Sequence, residues 1–234
     1  MKLDILVFGA HPDDVELSCG GTVIKMVKAG YKAGVVDMTE AELSTRGNVE
    51  LRKQETKKAS KYLGIHVREN LKIPDGQIEN NKENRLKVIN CIRRYQPAII
   101  LAPYFKDRHP DHVHASNLIR ESNFYSGLSK IDSALSAHRA ENVIYYYQHR
   151  VDNANFVVDI SNEFDQKMDA VKSFASQFYN PQSDEPKTFI SNKQFLESLR
   201  VRAQYFGYQA GVQYAEPFFV ESIIKINNIC EIFS

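Results

Sequence analysis

The chain has 234 residues, 43% of them hydrophobic, enough to bury a substantial core as one domain or as one domain with an appendage. Its 30 Lys and Arg face 29 Asp and Glu, so a formal net charge of +1 excludes a general attraction to nucleic acid or to an anionic membrane, and any anion recognition must be local. No segment approaches the roughly 20 apolar residues of a membrane span, and the N-terminal apolar run is too short for a secretory core. A cytoplasmic protein is expected.

The first element is the apolar run Ile5, Leu6, Val7, Phe8, of the kind a strand buried on both faces requires. It ends at Gly9 and His11. Pro12 restricts His11 to extended backbone and suits the first turn of a helix, so His11 closes the strand while Asp13 and Asp14 open the helix. A dinucleotide-binding fold would place a Gly-rich phosphate cradle at this turn. Here His-Pro-Asp-Asp stands in its place, and these are metal-ligand types.

The pattern predicts a helix from Asp14 to about Ala29, with Gly30 as its stop. Gly20 and Gly21 lie inside it and each weakens a helix by up to about 1 kcal/mol, so they point to close packing against another backbone, or to a helix that begins only after Gly21. Lys32 to Met38 reads as a second strand. After a polar loop, Asn48 caps a helix carrying Leu51, Ala59 and Leu63 and ending near Gly64. Arg46, within that loop, and Arg52, in the first two turns of the helix beside it, could grip an anionic substrate group, since guanidinium matches a carboxylate bidentately.

His66 to Ile73 suggests a short strand, Pro74-Asp75-Gly76 a turn, and Lys82 to Tyr95 a helix that Pro97 cannot continue. The apolar run AIILAP follows. Immediately after it come His109, Asp111, His112 and His114, repeating the order strand, His-Pro-Asp cluster, helix. In an open parallel sheet, ligands gather outside the carboxyl ends of the strands, so the two clusters should face one crevice. His114 reads as a helix-surface or packing residue, and His66, His138 and His149 as ordinary residues.

Farther on, Val143 to Tyr147 and NFVVDIS read as strands. Ser161 is expected to cap a helix from Asn162 to about Phe178, another helix covers about Asn192 to Tyr205, and EPFFVESIIKI resembles an edge strand or an arm. No repeat, low-complexity tract or linker divides the chain. A single domain is expected, with a core over about residues 1–124 and a substrate-loop and oligomerisation part over about 125–234. Cys19, Cys91 and Cys230 are odd in number and widely separated, which suits neither a disulfide framework nor a zinc ribbon; Cys19 reads as a small buried residue.

His11, Asp14 and His112 together make a two-imidazole, one-carboxylate set of the catalytic-zinc type, with a fourth position left for water. Asp13 points away from Asp14 and is free to act as a base. His109 can donate to an oxyanion, with the carboxylate of Asp111 fixing its tautomer. Those are the parts of an amide hydrolase, with Zn(2+), Fe(2+) or Co(2+) all acceptable to such a donor set.

AHPDDVELSCGGT and DRHPDH resemble the two signature motifs of the LmbE/PIG-L family of zinc-dependent N-deacetylases, and ELRK at Glu50 to Lys53 and YAEPF extend the likeness over most of the chain. The resemblance is strongest to the bacillithiol-biosynthesis subgroup. It implies a Rossmann-like α/β sandwich with a mostly parallel sheet and zinc on His11, Asp14 and His112. It also implies Asp13 as general base, His109 as oxyanion stabiliser or acid, Arg52 as a substrate-binding residue, and a homo-oligomer, often a hexamer. The implied substrate is a small amino sugar, N-acetylglucosaminyl malate. The chain departs from its relatives at Phe195, where they carry a tyrosine near the substrate carbonyl; Tyr179, Tyr205 or another tyrosine substitutes, or His109 and zinc act without one. Other N-acetylglucosamine conjugates, such as a chito-oligosaccharide or glycolipid, remain as alternative substrates. A non-catalytic metal- or sugar-binding module remains as the alternative of another class.

Overall fold

The structure of the protein, a computed structural model, describes residues 1–228 and 230. Ile5–Gly9 forms β1 and Ala33–Asp37 forms β2, each buried along its whole length, as strands covered on both faces must be. With β3 (Val67–Asn70), β4 (Ile99–Pro103), β5 (Asn142–Tyr146), β6 (Phe156–Asp159) and β7 (Ala215–Val220) they make one seven-stranded sheet in the order β3-β2-β1-β4-β5-β7-β6. The five strands β3, β2, β1, β4 and β5 run parallel, and β7 is antiparallel to both β5 and β6. The chain is thus an α/β protein with a mostly parallel sheet. All five parallel strands present their carboxyl ends on one side.

The alternation of side chains along β1 divides the core. Leu6 and Phe8 pack with Val88, Cys91 and Ile92 of α4 (Lys82–Tyr95) and Ala115, Leu118 and Ile119 of α5 (Pro110–Ser126). Ile5 and Val7 face the other layer, with Val15 of α1 (Asp14–Ser18), Val23 and Ile24 of α2 (Gly20–Lys28), Leu63 of α3 (Val49–Leu63) and Ala170 of α6 (Phe164–Lys172). A third cluster joins Phe164, Met168 and Val171 to Leu199 and Ala203 of α7 (Phe195–Ala210).

The expected helix from Asp14 to Ala29 is two helices, broken at Cys19. The cause lies 195 residues away. Glu216 on β7 accepts hydrogen bonds from Gly21 N at 2.9 Å, Thr22 N at 2.7 Å and Thr22 Oγ1 at 2.6 Å, satisfying the first amides of α2 at the end where a negative charge is favoured. Lys167 Nζ, 2.6 Å from Glu216, completes the buried pair. A Cβ on Gly21 would stand 2.8 Å from Ile160 Cδ1, so this glycine permits a close approach. Cys19 is fully buried.

Other boundaries also differ. Ser161 caps no helix: its hydroxyl donates to Asp159 Oδ1 at 2.6 Å and accepts from Tyr214 N at 3.1 Å, and α6 starts later and ends earlier than expected. β7 is an inner strand, with β6 covering its outer side, so the edge assignment fails. On α3, Asn48 caps Leu51 N at 2.9 Å and Gly64 ends the helix at φ 69° as expected. The buried face, however, carries Arg52 and Glu55 with Ala59 and Leu63, while Leu51 is exposed. The Glu55 carboxylate holds Ser176 N at 2.7 Å and Ser176 Oγ at 2.8 Å, which is why a polar residue occupies that face. Residues 229 and 231–234 of the expected C-terminal part lie outside the described residues.

Candidate active site

The carboxyl end of β1 turns sharply into α1. Asp14 reaches back, its Oδ2 accepting from His11 N at 2.9 Å. Asp13 sits between them at φ 124°, a sparsely populated conformation that costs on the order of 1–3 kcal/mol and persists only where surroundings enforce it. Arg52 enforces it, donating from Nη1 to Pro12 O at 2.6 Å and to Asp13 Oδ2 at 3.0 Å, and from Nη2 to Ser44 Oγ at 3.0 Å.

At the carboxyl end of β4, α5 begins with Pro110, and His112 on its first turn faces Asp14, with Nε2 3.3 Å from Asp14 Oδ1. The structure therefore brings His11, Asp14 and His112 together, with one donor atom from each within 4.8 Å of the others. His11 Nδ1 lies 3.6 Å from Asp14 Oδ2. Each imidazole thus approaches a different oxygen of the Asp14 carboxylate at about the 3.3–3.6 Å that separates two ligands held at ~2.0–2.2 Å on a tetrahedral ion, and the donor types are those of a divalent metal site.

The outward nitrogens strengthen the fit. His11 Nε2 contacts Asp75 Oδ1 at 3.1 Å and Asp111 Oδ2 at 3.2 Å, and His112 Nδ1 contacts Asp107 Oδ1 at 3.2 Å. A carboxylate behind each imidazole fixes its tautomer and raises its basicity, the usual arrangement around a ligating histidine. Burial alone would lower the pKa of His112, yet Asp14 and Asp107 outweigh it and push it up to about 9. Burial likewise opposes ionisation of Asp14, but His112 and His11 hold its carboxyl well below the usual range. The Asp14 and Asp107 carboxylates thus favour positive charge at the His112 imidazole, and a metal ion would bind there by displacing its proton.

Asp13 behaves differently. Burial, only partly offset by the Arg52 charge, pushes its pKa up to about 7, where a carboxylate is well matched to proton transfer near neutrality. His109 caps α5, and its Nδ1 accepts the main-chain N–H of Asp111 at 3.3 Å. Its Nε2 is consequently the protonated nitrogen. The Asp111 carboxylate does not orient His109, contrary to expectation; it accepts from Gly76 N at 3.1 Å and faces His11. The reason is the first turn of α5, which aims the Asp111 side chain across the crevice towards the Asp75-Gly76 turn.

These groups line a cleft of about 540 Å³, which Arg108, His114, Gln148, His149 and residues 188–190 also border. A smaller cavity of about 360 Å³ shares Arg52 with it and is lined by no histidine. Arg46 is not a cleft residue: its guanidinium bonds Ser176 O, Pro186 O and Ser183 Oγ. Phe195 packs on Phe178 with ring centroids 5.9 Å apart. Tyr179 and Tyr205 are exposed outside the lining, and no tyrosine borders the cleft among the described residues.

Four groups at the site, three lining the cleft and Asp107 behind it, lie outside the candidate residues that the sequence motifs single out. Asp75, Asp107 and His149 gain roles above or beside the histidines, and Gln148 Nε2 donates to Asp14 Oδ1 at 2.8 Å. His149, read as ordinary, has Nδ1 3.0 Å from Asp107 Oδ1 and stacks on His112 at 5.6 Å. The strand-end rule that singled out His11 and His109 applies equally to Gln148 and His149 after β5 and to Asp75 after β3.

Comparison with known proteins is consistent with this geometry. The family of GlcNAc-PI de-N-acetylases, PIG-L, matches residues 6–123. A diacetylchitobiose deacetylase of Thermococcus kodakarensis is 29% identical over 227 residues, covering 91% of this chain and 80% of its own. The crystal structure of the conserved protein TT1542 from Thermus thermophilus superposes with TM-score 0.88 at 34% identity, over 96% of this chain and 98% of that one. GalB, the 4-carboxy-2-hydroxymuconate hydratase of Pseudomonas putida KT2440, superposes with TM-score 0.81 at 23% identity, over 97% and 99%, a likeness of fold alone. No helix among the described residues is long and apolar enough to cross a membrane.

Proposed function

The chain belongs to the PIG-L/LmbE family of deacetylases, and from that premise we propose that it hydrolyses the acetamide of an N-acetylglucosamine conjugate with the help of a divalent metal. One observation carries the reading: the His11, Asp14, His112 cluster opens into a cleft beside a buried, separate carboxylate, Asp13. A binding module needs the cluster but has no use for that carboxylate. Because a hydratase shares the fold, the fold by itself does not set the reaction.

A divalent ion held by His11, Asp14 and His112 would supply Lewis-acid chemistry, polarising a carbonyl and acidifying a water. Asp13 takes the proton of the attacking water on its carboxylate and returns it to the amide nitrogen as the C–N bond breaks, giving acetate and the free amine. His109, protonated at Nε2, donates a hydrogen bond to the oxygen on which negative charge develops, and no cleft tyrosine among the described residues shares that task. Arg52 holds the strained Asp13 in place as well as forming part of the wall.

Within the class, we favour a conjugate with an anionic aglycone, as in N-acetylglucosaminyl malate of the bacillithiol pathway. Arg108 supports it: the side chain is exposed at the cleft and has no ion pair among the described residues, whereas Arg46 and Arg52 are engaged by the chain's own groups. The match to a diacetylchitobiose deacetylase favours a second reading, a chito-oligosaccharide substrate. Acetate release from malate, chitobiose and free N-acetylglucosamine substrates by the metal-loaded protein separates them. A charge-assisted pair contributes roughly 1.5–3 kcal/mol, so the malate conjugate should exceed the free sugar in kcat/KM by at least about tenfold. Equal rates, or a preference for chitobiose that Arg108→Ala leaves unchanged, would transfer the assignment to the neutral substrates.

A further inference from the structure

Arg46 has the residue type of an anion binder but is turned into the protein. It ties the segment after α6 to the loop after β2: Nε donates to Ser176 O at 3.0 Å, Nη1 to Pro186 O at 3.4 Å and Nη2 to Ser183 Oγ at 3.1 Å, with Glu185 Oε2 3.6 Å away. Glu185 closes the clasp by accepting from Gly47 N at 2.8 Å. Gly47, at φ 70°, is needed there, since a Cβ would stand 2.9 Å from Ser176 Oγ. Directly beyond the clasp, Thr188 and Ser191 bond each other reciprocally, Thr188 N to Ser191 Oγ at 2.7 Å and Ser191 N to Thr188 Oγ1 at 3.1 Å. Phe189 stands between them.

Phe189 borders the cleft and is 58% exposed. A single exposed phenylalanine needs no explanation by itself; one held between two anchors at the mouth of a polar cleft is different. Arg108 lies over its ring at 4.2 Å, and His149 and Phe195 approach it at 5.8 Å and 5.9 Å. The ring seats the unpaired guanidinium by cation–π attraction and leaves apolar surface open to the cleft. We infer that Phe189 is a specificity-determining contact for the part of the substrate beyond the acetamide, and that Arg46 is the positioning residue that keeps it there. The matching ligand is a sugar whose substituent offers a ring or apolar face to Phe189 and a carboxylate to Arg108.

The inference rests on the deacetylase reading, and its test separates the two. Acetate release is measured for the wild type, Phe189→Ala, Phe189→Tyr and Arg46→Met on free N-acetylglucosamine and on its malate and chitobiose conjugates. Phe189→Ala should lower kcat/KM for the preferred conjugate roughly fivefold to tenfold, through KM, while the free sugar stays within about twofold. Phe189→Tyr should restore the preference, and Arg46→Met should reproduce its loss. If Arg46→Met does not fold, Ser183→Ala with Glu185→Gln loosens the same clasp from its exposed side. Equal losses on all substrates, or unchanged discrimination, overturn the inference while the deacetylase reading stands. A wild-type protein that releases acetate from none of them overturns both.

Discussion

Arg52 Nη1 lies 3.0 Å from Asp13 Oδ2, with both side chains buried, and the same nitrogen holds the carbonyl of Pro12. The pair sets two properties at once. Charge from Arg52 lowers the Asp13 pKa against the larger effect of burial, and the double contact holds Asp13 at its strained φ.

A pH prediction follows with a definite sign. The base acts when deprotonated, and Arg52 favours the deprotonated form, so Arg52→Gln raises the Asp13 pKa above its wild-type value. The acid limb of kcat/KM should therefore move to higher pH, with activity at about pH 6 falling more than activity at about pH 8. Profiles measured from roughly pH 5 to pH 9 on one substrate check this. A uniform drop with an unmoved limb would assign Arg52 to substrate contact alone.

Asp107 accepts from both His112 and His149 through one oxygen, Oδ1, at 3.2 Å and 3.0 Å, and from His109 N at 2.9 Å. Asp107→Asn keeps the shape but removes the charge behind His112. Metal affinity should weaken roughly 10- to 100-fold, the usual effect of losing such a partner. Competition with a chelator of known affinity measures it, and an unchanged affinity would show that His112 is oriented by its helix alone.

What was readable in the chain was local. The limits of α4 and the caps of α3 follow from Asn48, Gly64, Lys82 and Tyr95 without reference to distant residues. His11 and His109 could be placed because each directly follows an apolar run. Gly20 and Gly21 hint at an interruption near Cys19, but its cause is not local, because the carboxylate that starts α2 is Glu216. β7 looked like an edge for the same reason: its outer neighbour β6 returns from earlier in the chain. His149 follows its strand without the Pro and Asp that mark the other two clusters, so nothing local distinguishes it.

Glu216 gives a stability prediction free of the chemistry. It shares a buried pair with Lys167, and Glu216→Ala would leave that ammonium with Ser18 O at 3.2 Å but no counter-charge, and the amides of Gly21 and Thr22 without their acceptor. Removing one member of a buried pair typically costs about 3–5 kcal/mol. Chemical denaturation should show a loss of that size. A loss below ~1 kcal/mol would mean that water reaches Lys167 and replaces the carboxylate.

The sharpest test of catalysis against mere binding is Asp13→Asn. The carboxylate lies beside the His11, Asp14, His112 cluster without belonging to it, so metal stoichiometry and affinity should stay close to wild type. The amide cannot accept the proton of the attacking water, and kcat should fall by about 10² or more, the scale of general-base catalysis. The substitution also exchanges an Arg52 ion pair for a weaker hydrogen bond, so thermal unfolding must be followed alongside the rate. Loss of metal together with activity would make Asp13 a ligand. Loss of folding with both would make it the keystone of the strained turn, and a fully active variant would remove Asp13 from the role of base.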